Sequence, residues 1–475
     1  MNPEFLTISQ AAQLIEKGVL SPVDLVEHCL ARISCIDSTL NSFICLLANY
    51  ARNSARIAEK EIKSGNYKGA LHGIPLGLKD IYDMAGISTT CHSKVMQNYI
   101  AANDSYTVRK LKQAGAIIVG KLATHEFALG GPSFDLPWPP ARNPWDQSRF
   151  TGGSSSGSAA AVAAGLVLGS MGSDSGGSIR TPSAYCGITG LKPTFGLISR
   201  SGIVPLSFTL DHAGPMAWTS EDCAILLQAL AGFDHNDSAS VNVSMPDYRA
   251  ALTGNVRGLR LGVIRHFYNS DISASPAICH AIESSLKQFE KMGCLVEEVQ
   301  LSPLMEWAAC GTIIMLAEGY ALHEKRLQEG FADYGEFFRD RMALGALISS
   351  ADYIHAVRKR EVLKGELHQI FCHFDALITA VTANEAPKIE AVGKFSIIEK
   401  PLLTMPFNVT GNPALSICCG YSENDLPLGM QIVGKHFAEA TILRLADAYE
   451  RTTVWRRRPP FKNETCTLND FFKQA

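Results

Sequence analysis

Residues 158–165 read SAAAVAAG, a run of side chains so small that any helix they form must pack close against its neighbours. The run follows GGSSSG at 152–157, so glycine and serine lead directly into an apolar helix. A flexible linker would have polar flanks, and a phosphate-binding GxxxxGK[ST] loop would carry a lysine after the glycines. Two interpretations remain: a turn that serves packing alone, or a site where serine does chemistry.

Short apolar segments alternate with amphipathic ones along the chain. TVRKLKQAGAIIVGK predicts a helix, a glycine turn and a buried strand, and LRLGVIRHF and FDALITAV predict further strands. This alternation is typical of the α/β class with parallel strand pairs. We expect a single domain over 1–475, with N-terminal helices at about 5–65 and a helical cap at about 305–372.

Composition and charge argue against several classes of protein. The net charge of −3 gives no basic footprint for nucleic acid, and we interpret the one basic cluster, at 456–458, as a solvated turn. No signal peptide and no apolar stretch of membrane-spanning length is evident, so we expect a cytoplasmic protein without a membrane contact. The 13 cysteines show neither CxxC pairs nor metal-ligand spacing, so we expect no metal and no cofactor.

A second glycine–serine motif, SGGS at 175–178, follows the first. Glycines just before a serine let several backbone N–H groups converge on one point, as an oxyanion hole requires. A serine nucleophile also needs a base. None of the histidines lies in a convincing motif, whereas Lys79 lies in the apolar segment GIPLGLKD, where burial would lower its pKa enough for it to act as the base.

These segments together resemble the amidase signature family. GIPLGLKD, GGSSSGSAA and GSDSGGSIRTPSAYCGITGLKPTFG carry the resemblance, which extends over nearly the whole chain. It implies an α/β/α sandwich built on a mixed central sheet covered by helices on both faces. It also implies a serine hydrolase with a Ser–cis-Ser–Lys triad.

Transferred residue by residue, the resemblance makes Ser178 the nucleophile that forms an acyl-enzyme. Ser154 becomes the bridging serine, placed after a cis peptide bond to Gly153, and Lys79 becomes the base. The resemblance also implies an oxyanion hole, a pocket wall and supporting groups. Its oxyanion and substrate-binding residues are Ala128, Ser154, Ser175, Gly176, Gly177 and Ser178, and its supporting residues are Ser155, Asp174 and Arg180.

The segment 134–140, FDLPWPP, is stiff and apolar, and we expect it to form an apolar wall beside the pocket, which favours a free-standing enzyme. We therefore expect hydrolysis of small, largely apolar amides, with esters or carbamates as further substrates. The expected partners are the amide and water, without nucleic acid, and a homodimer is left open. The alternative is the A subunit of a tRNA-dependent glutamine amidotransferase, which uses the same triad but works with a partner that binds tRNA.

Overall fold

The computed structural model describes residues 6–455, so the basic cluster at 456–458 lies outside the described residues. Within this range the chain forms fourteen α-helices, numbered α1 to α14 in chain order. They are Ile8–Glu16, Pro22–Leu40, Ala48–Lys63, Tyr106–Gln113, Ser156–Ala163, Arg180–Cys186, Ser220–Leu230, Pro276–Lys291, Leu304–Gly330, Glu336–Ala343, Ser350–Phe371, Ser396–Glu399, Pro406–Val409 and Glu439–Thr452.

Eleven strands, β1 to β11, join into one sheet within the same range. They are Phe43–Leu46, Pro75–Lys79, Ile117–Leu122, Gly169–Asp174, Thr189–Lys192, His212–Ala217, Arg260–Val263, Leu295–Glu298, Ala376–Ala380, Ala414–Tyr421 and Pro427–Gly434. Their order across the sheet is β1-β3-β2-β4-β6-β5-β10-β11-β9-β7-β8. β2 runs parallel to β3 and β4, and β7 runs parallel to β8 and β9, whereas the other pairs are antiparallel. The predicted mixed α/β sheet is confirmed.

Apolar side chains cover the sheet on both faces. Along β3, Ile118 belongs to one buried cluster, whereas Ile117 and Val119 belong to another. Successive side chains of a strand point to opposite faces, so each face of the sheet has its own core. The second core includes alanines of α5, which confirms helix packing close to the sheet.

The close packing of helix α5 explains why its side chains are so small. Every residue of α5 is buried. A Cβ added at Gly157 would lie 2.4 Å from the carbonyl oxygen of Ser42 and 2.5 Å from the amide nitrogen of Ala123. The helix therefore tolerates no larger side chain on this side, and its N-terminus is fixed against the ends of the neighbouring strands.

Helices also occupy the two segments for which we expected them. α1 to α3 lie within 5–65, and α9 to α11 lie within 305–372 apart from the first residue of α9. The division of the chain into one domain with these two parts stays a prediction. No helix among residues 6–455 has the length and apolar character needed to cross a membrane.

Candidate active site

Lys79 is the last residue of β2 and is fully buried. β4 runs parallel to β2, so the carboxyl ends of both strands lie at the same edge of the sheet. At that edge the Lys79 Nζ donates to the hydroxyl oxygen of Ser154 at 2.7 Å and to that of Ser173 at 2.9 Å. The end of β2 thus brings the predicted base into contact with Ser173 of β4 and with the predicted bridging serine, which lies in the loop before α5.

Burial lowers the pKa of Lys79 to about 7. The negative charges of Asp211 and Asp174 act in the opposite direction, but they do not cancel the cost of desolvating the ammonium group. Near neutral pH a substantial fraction of Lys79 is therefore unprotonated. A neutral amine that contacts a hydroxyl can accept its proton.

The loop before α5 holds Ser154 by its backbone. Gly152 has a φ of +78°, which favours glycine, and the peptide bond between Gly153 and Ser154 is cis. The backbone N–H of His125 donates to the carbonyl of Ser154 at 3.0 Å, and a Cβ at Gly153 would lie 2.0 Å from the His125 ring. Both glycines are therefore required by space or conformation.

Ser178 lies half-buried in the loop between β4 and α6. Gly177, just before it, has a φ of +137°, and its N–H donates to the Asp174 carboxylate at 2.7 Å. The N–H of Ile179, just after it, donates to the second oxygen of the same carboxylate at 3.1 Å. Asp174 therefore holds the backbone on both sides of Ser178.

Asp174 and Arg180 form a fully buried ion pair. Two guanidinium nitrogens of Arg180, Nε and Nη2, each donate to one carboxylate oxygen at 3.0 Å. Burial raises the pKa of Asp174, but the adjacent guanidinium outweighs burial and holds the pKa well below its usual range. Arg180 also donates to Thr404, Asn408 and Gln431. The ion pair, here called the anchor, is therefore linked to segments that are distant in sequence.

The other predicted supporting and oxyanion residues surround this anchor. The Ser155 N–H donates to the Ser178 carbonyl at 3.2 Å, and its hydroxyl donates to the Ser173 carbonyl at 3.2 Å. Because the Gly177 amide is engaged by Asp174, it is not free for an oxyanion, which departs from the sequence-based set. Between residues 6 and 455 the amides of Gly176 and Ser178 donate to no other group of the chain, so they remain as donors for an oxyanion.

A cavity of about 640 Å³, here called the front cavity, opens onto Ser178, Ser154 and the glycines beside them. Ala128 lines it, with a φ of +63°. Among the described residues, 134–140 contribute nothing to its lining. Phe134 is 57% exposed, and the Arg142 guanidinium lies 5.6 Å from the centre of its ring. Contrary to expectation, this apolar segment is not a wall of the pocket.

Arg341 lines the front cavity and was missed by the sequence reasoning. It lies on α10 and is 2% exposed, and its guanidinium donates to the carbonyls of Leu129, at 2.7 Å, and Lys394. Burial lowers its pKa to about 10, so it stays cationic at neutral pH. No local motif marks it, because its place depends on how the helical segment packs over the cavity. Over residues 6–455 no group of three or more His, Cys, Asp or Glu side chains could hold a metal ion.

The family model described as Amidase matches residues 24–443. A curated relative, the A subunit of the Glutamyl-tRNA(Gln) amidotransferase of Roseiflexus castenholzii, is 37% identical over 96% of this chain and 97% of its own length. The corresponding A subunit of Coxiella burnetii is also 37% identical, over 96% of this chain and 99% of its own length.

Solved structures agree with these matches. The structure of the A subunit of Glutamyl-tRNA(Gln) amidotransferase from Thermotoga maritima has a TM-score of 0.82 and 31% identity, and it covers 95% of this chain and 96% of its own. A structure described as a vestigial protein complex that reveals the origins of an s-triazine catabolic enzyme has a TM-score of 0.89 and 31% identity. It covers 94% of this chain and 98% of its own.

These relatives correct two expectations. The hypothesis of a free-standing hydrolase of small, apolar amides is wrong, because curated relatives that are 37% identical over 96% of this chain are amidotransferase subunits. The expectation of a small amide and water as the only partners, without nucleic acid, is wrong for the same reason. The net charge of a chain does not by itself exclude an assembly that contains nucleic acid. The sequence motifs indicated the family correctly: the chain belongs to the amidase signature family, whose enzymes act on C–N bonds.

Proposed function

We propose that the chain is the A subunit of a tRNA-dependent glutamine amidotransferase and releases ammonia from the side-chain amide of glutamine. The observation that carries the proposal is the identity of 37% with such subunits along 96% of the chain. In this role the chain works with the other amidotransferase subunits and with glutamyl-tRNA. We place it in the cytoplasm together with that tRNA.

In the proposed reaction the Ser178 hydroxyl oxygen attacks the amide carbonyl carbon of glutamine. Its proton passes through the Ser154 hydroxyl to the neutral Lys79 amine, which lies 2.7 Å from Ser154. The carbonyl oxygen becomes an oxyanion opposite the amides of Gly176 and Ser178. The C–N bond then breaks as the proton returns from Lys79 through Ser154 to the leaving nitrogen, and ammonia departs. Water cleaves the glutamyl ester by the same proton path and restores Ser178.

The charge of the front cavity supports a substrate with a carboxylate. Arg341 provides a buried guanidinium in a cavity that otherwise has many apolar groups. A buried cation binds an anionic group more strongly than an exposed one, because water screens it less. Glutamine carries an α-carboxylate that suits Arg341, whereas a small apolar amide carries no group for it.

An acid on the same cavity suits the other charge of glutamine. Glu385 lines the front cavity with its side chain 21% exposed, and it forms an ion pair with Arg149 at 3.1 Å. We assign Glu385 to the α-ammonium group of glutamine. Together, Arg341 and Glu385 match the two charges of an amino acid.

The decisive experiment measures glutamine hydrolysis by the chain assembled with its two partner subunits, with butyramide as the neutral amide for comparison. We expect glutamine to be the better substrate, and Arg341→Met to raise the KM for glutamine roughly tenfold or more. Arg339→Met, on the same helix but outside the cavity lining, is the matched control and should leave KM unchanged. If glutamine is not hydrolysed by the assembly, or butyramide is preferred, the proposal fails.

A second experiment tests the nucleophile without reference to the natural substrate. A fluorophosphonate should add to Ser178, and the adduct should be found there by mass spectrometry of the intact and digested chain. Ser178→Ala should abolish both the adduct and turnover while the chain stays folded. An adduct on another residue would exclude Ser178 as the nucleophile.

A further inference from the structure

A second cavity, of about 270 Å³, adjoins the front cavity, and we call it the rear cavity. Its lining shares Ala128, Ser175 and Leu206 with the front cavity. It also includes Ser173, whose hydroxyl accepts from the Lys79 Nζ at 2.9 Å. The front cavity therefore reaches the nucleophile and Ser154, whereas the rear cavity reaches Ser173, the second hydroxyl that the base contacts.

One carboxylate in the wall of the rear cavity contacts the nucleophile loop. The Ser175 hydroxyl donates to Oδ1 of Asp211 at 2.5 Å. The backbone N–H groups of Leu206 and Ser207 donate to Oδ2 at 2.8 and 3.0 Å. These three bonds fix the carboxylate between the rear cavity and the loop that carries Ser178. The mechanism described above makes no use of this group.

Asp211 differs from the other acid near Lys79 in how its charge is compensated. Asp174 is neutralised by two hydrogen bonds from Arg180. For Asp211, no ion pair within 4.0 Å is found in the part of the chain that the structure describes, and Arg200, on the same cavity wall, is paired with Asp237 at 3.2 Å. An uncompensated charge in a partly buried site acts on its neighbours with little screening.

Burial and nearby charged groups together set the pKa of Lys79. Burial lowers the pKa of Lys79, and Asp211 is the strongest influence that opposes burial, followed by Asp174 and Cys91. Burial also raises the pKa of Asp211, against its three hydrogen bonds from the Ser175 hydroxyl and two backbone amides and against the nearby charge of Arg200. The further titratable or charged groups that face this region are Arg180, Arg200, Asp237, His125 and His212.

We propose that Asp211 is a positioning residue: from the rear cavity its carboxylate holds the Ser175 hydroxyl and presents an unpaired negative charge to Lys79, and so it governs the pH at which Ser178 becomes reactive. The role goes beyond the proposed function, because it concerns the base and applies whichever amide is cleaved. It predicts that removing the charge of Asp211 makes Lys79 lose its proton more readily.

The test is the pH profile of the rate at which a fluorophosphonate acylates Ser178. In Asp211→Asn the midpoint of the rising limb should move to lower pH by about one unit, because a nearby carboxylate favours the ammonium form. Arg200→Gln/Asp237→Asn is the matched control: it removes an acid together with its paired cation from the same cavity wall, and the midpoint should stay where it is in the unchanged chain. Ser175→Ala removes the hydroxyl contact but keeps the charge, so it should slow acylation without moving the midpoint.

Asp211→Ser provides a second test that does not depend on how an amide is accommodated, because its small side chain leaves room for water in the cavity. It should produce the same downward shift, and circular dichroism should show that each variant is folded. An unchanged midpoint in the Asp211 variants, or an equal shift in Arg200→Gln/Asp237→Asn, would overturn the role of Asp211 while the nucleophile stands. Absence of any adduct on Ser178 in the unchanged chain would instead overturn the triad, and this role with it.

Discussion

Lys79 and Lys121 lie on neighbouring parallel strands, and both are fully buried, yet their surroundings differ. The register pairs Lys79 with Leu122 and Leu78 with Lys121. Lys121 forms an ion pair with Asp80 at 2.8 Å, whereas Lys79 contacts two serine hydroxyls. A carboxylate holds a buried ammonium in its charged form, but a hydroxyl compensates its desolvation only in part. Burial alone therefore does not turn a lysine into a base. The group that the lysine contacts decides whether it can act as one.

The largest effect that would separate the two lysines is on catalysis. Lys79→Met should lower kcat/KM roughly 10⁴-fold, because it removes the base from residues that act as a unit. The free energy of unfolding should change little or rise, since a methionine side chain avoids the cost of burying an amine. Steady-state kinetics and urea unfolding measure the two quantities. Activity within roughly tenfold of the unchanged chain would exclude Lys79 as the base.

For Lys121 we expect the opposite pattern, with a loss of stability. Lys121→Met should lower the free energy of unfolding by about 3–5 kcal/mol, because Asp80 stays buried without its partner. The folded fraction should keep most of its activity. The double variant Lys121→Met/Asp80→Leu removes both charges and should regain much of the loss. If urea unfolding shows no difference between the single variant and the unchanged chain, the ion pair does not have the stabilising role assigned to it.

The pH dependence distinguishes a neutral Lys79 from a permanently charged lysine. Its pKa of about 7 means that the active, unprotonated form is lost as pH falls through neutrality. At pH 5, two units lower, kcat/KM should be about 100-fold below its alkaline plateau. We expect the profile to rise through neutral pH and then stay level. A profile that is already flat at pH 5 would show that the base is another group.

The removal of metal ions should have no effect on activity, which makes it the smallest of the expected changes. A bound cation near Lys79 would be a different way to lower its pKa, so the explanation by burial requires that none be needed. Dialysis against EDTA should leave kcat/KM unchanged. Loss of activity that returns with added zinc would contradict this explanation.

Much of the candidate site could be proposed from the sequence because its parts are local in sequence. GLKD and the two glycine–serine loops each form one turn or strand end, and their glycines are required by close contacts such as that of Gly153 with His125. The buried strand predicted in AIIVGK is β3, Ile117–Leu122. Short apolar runs between helices identified such elements, because parallel strands are covered on both faces.

The lining of the front cavity was not predictable in the same way. Arg341 and Glu385 come from separate segments that meet only in the folded chain, and nothing in their neighbours marks them. The segment 134–140 was expected to line the cavity and does not, because apolar composition does not say which way a loop faces. Phe134 turns outward beneath Arg142, away from the cavity.

The hydrogen bonds of Arg180 have a consequence for synthesis of the chain on the ribosome. The guanidinium that clamps Asp174 also donates to Thr404, Asn408 and Gln431, which are translated long after the nucleophile loop. Until Gln431 has left the exit tunnel, Arg180 lacks partners that a buried guanidinium needs. A nascent chain therefore carries Ser178 without the complete hydrogen bonding of Arg180 until residue 431 has been translated and has left the tunnel.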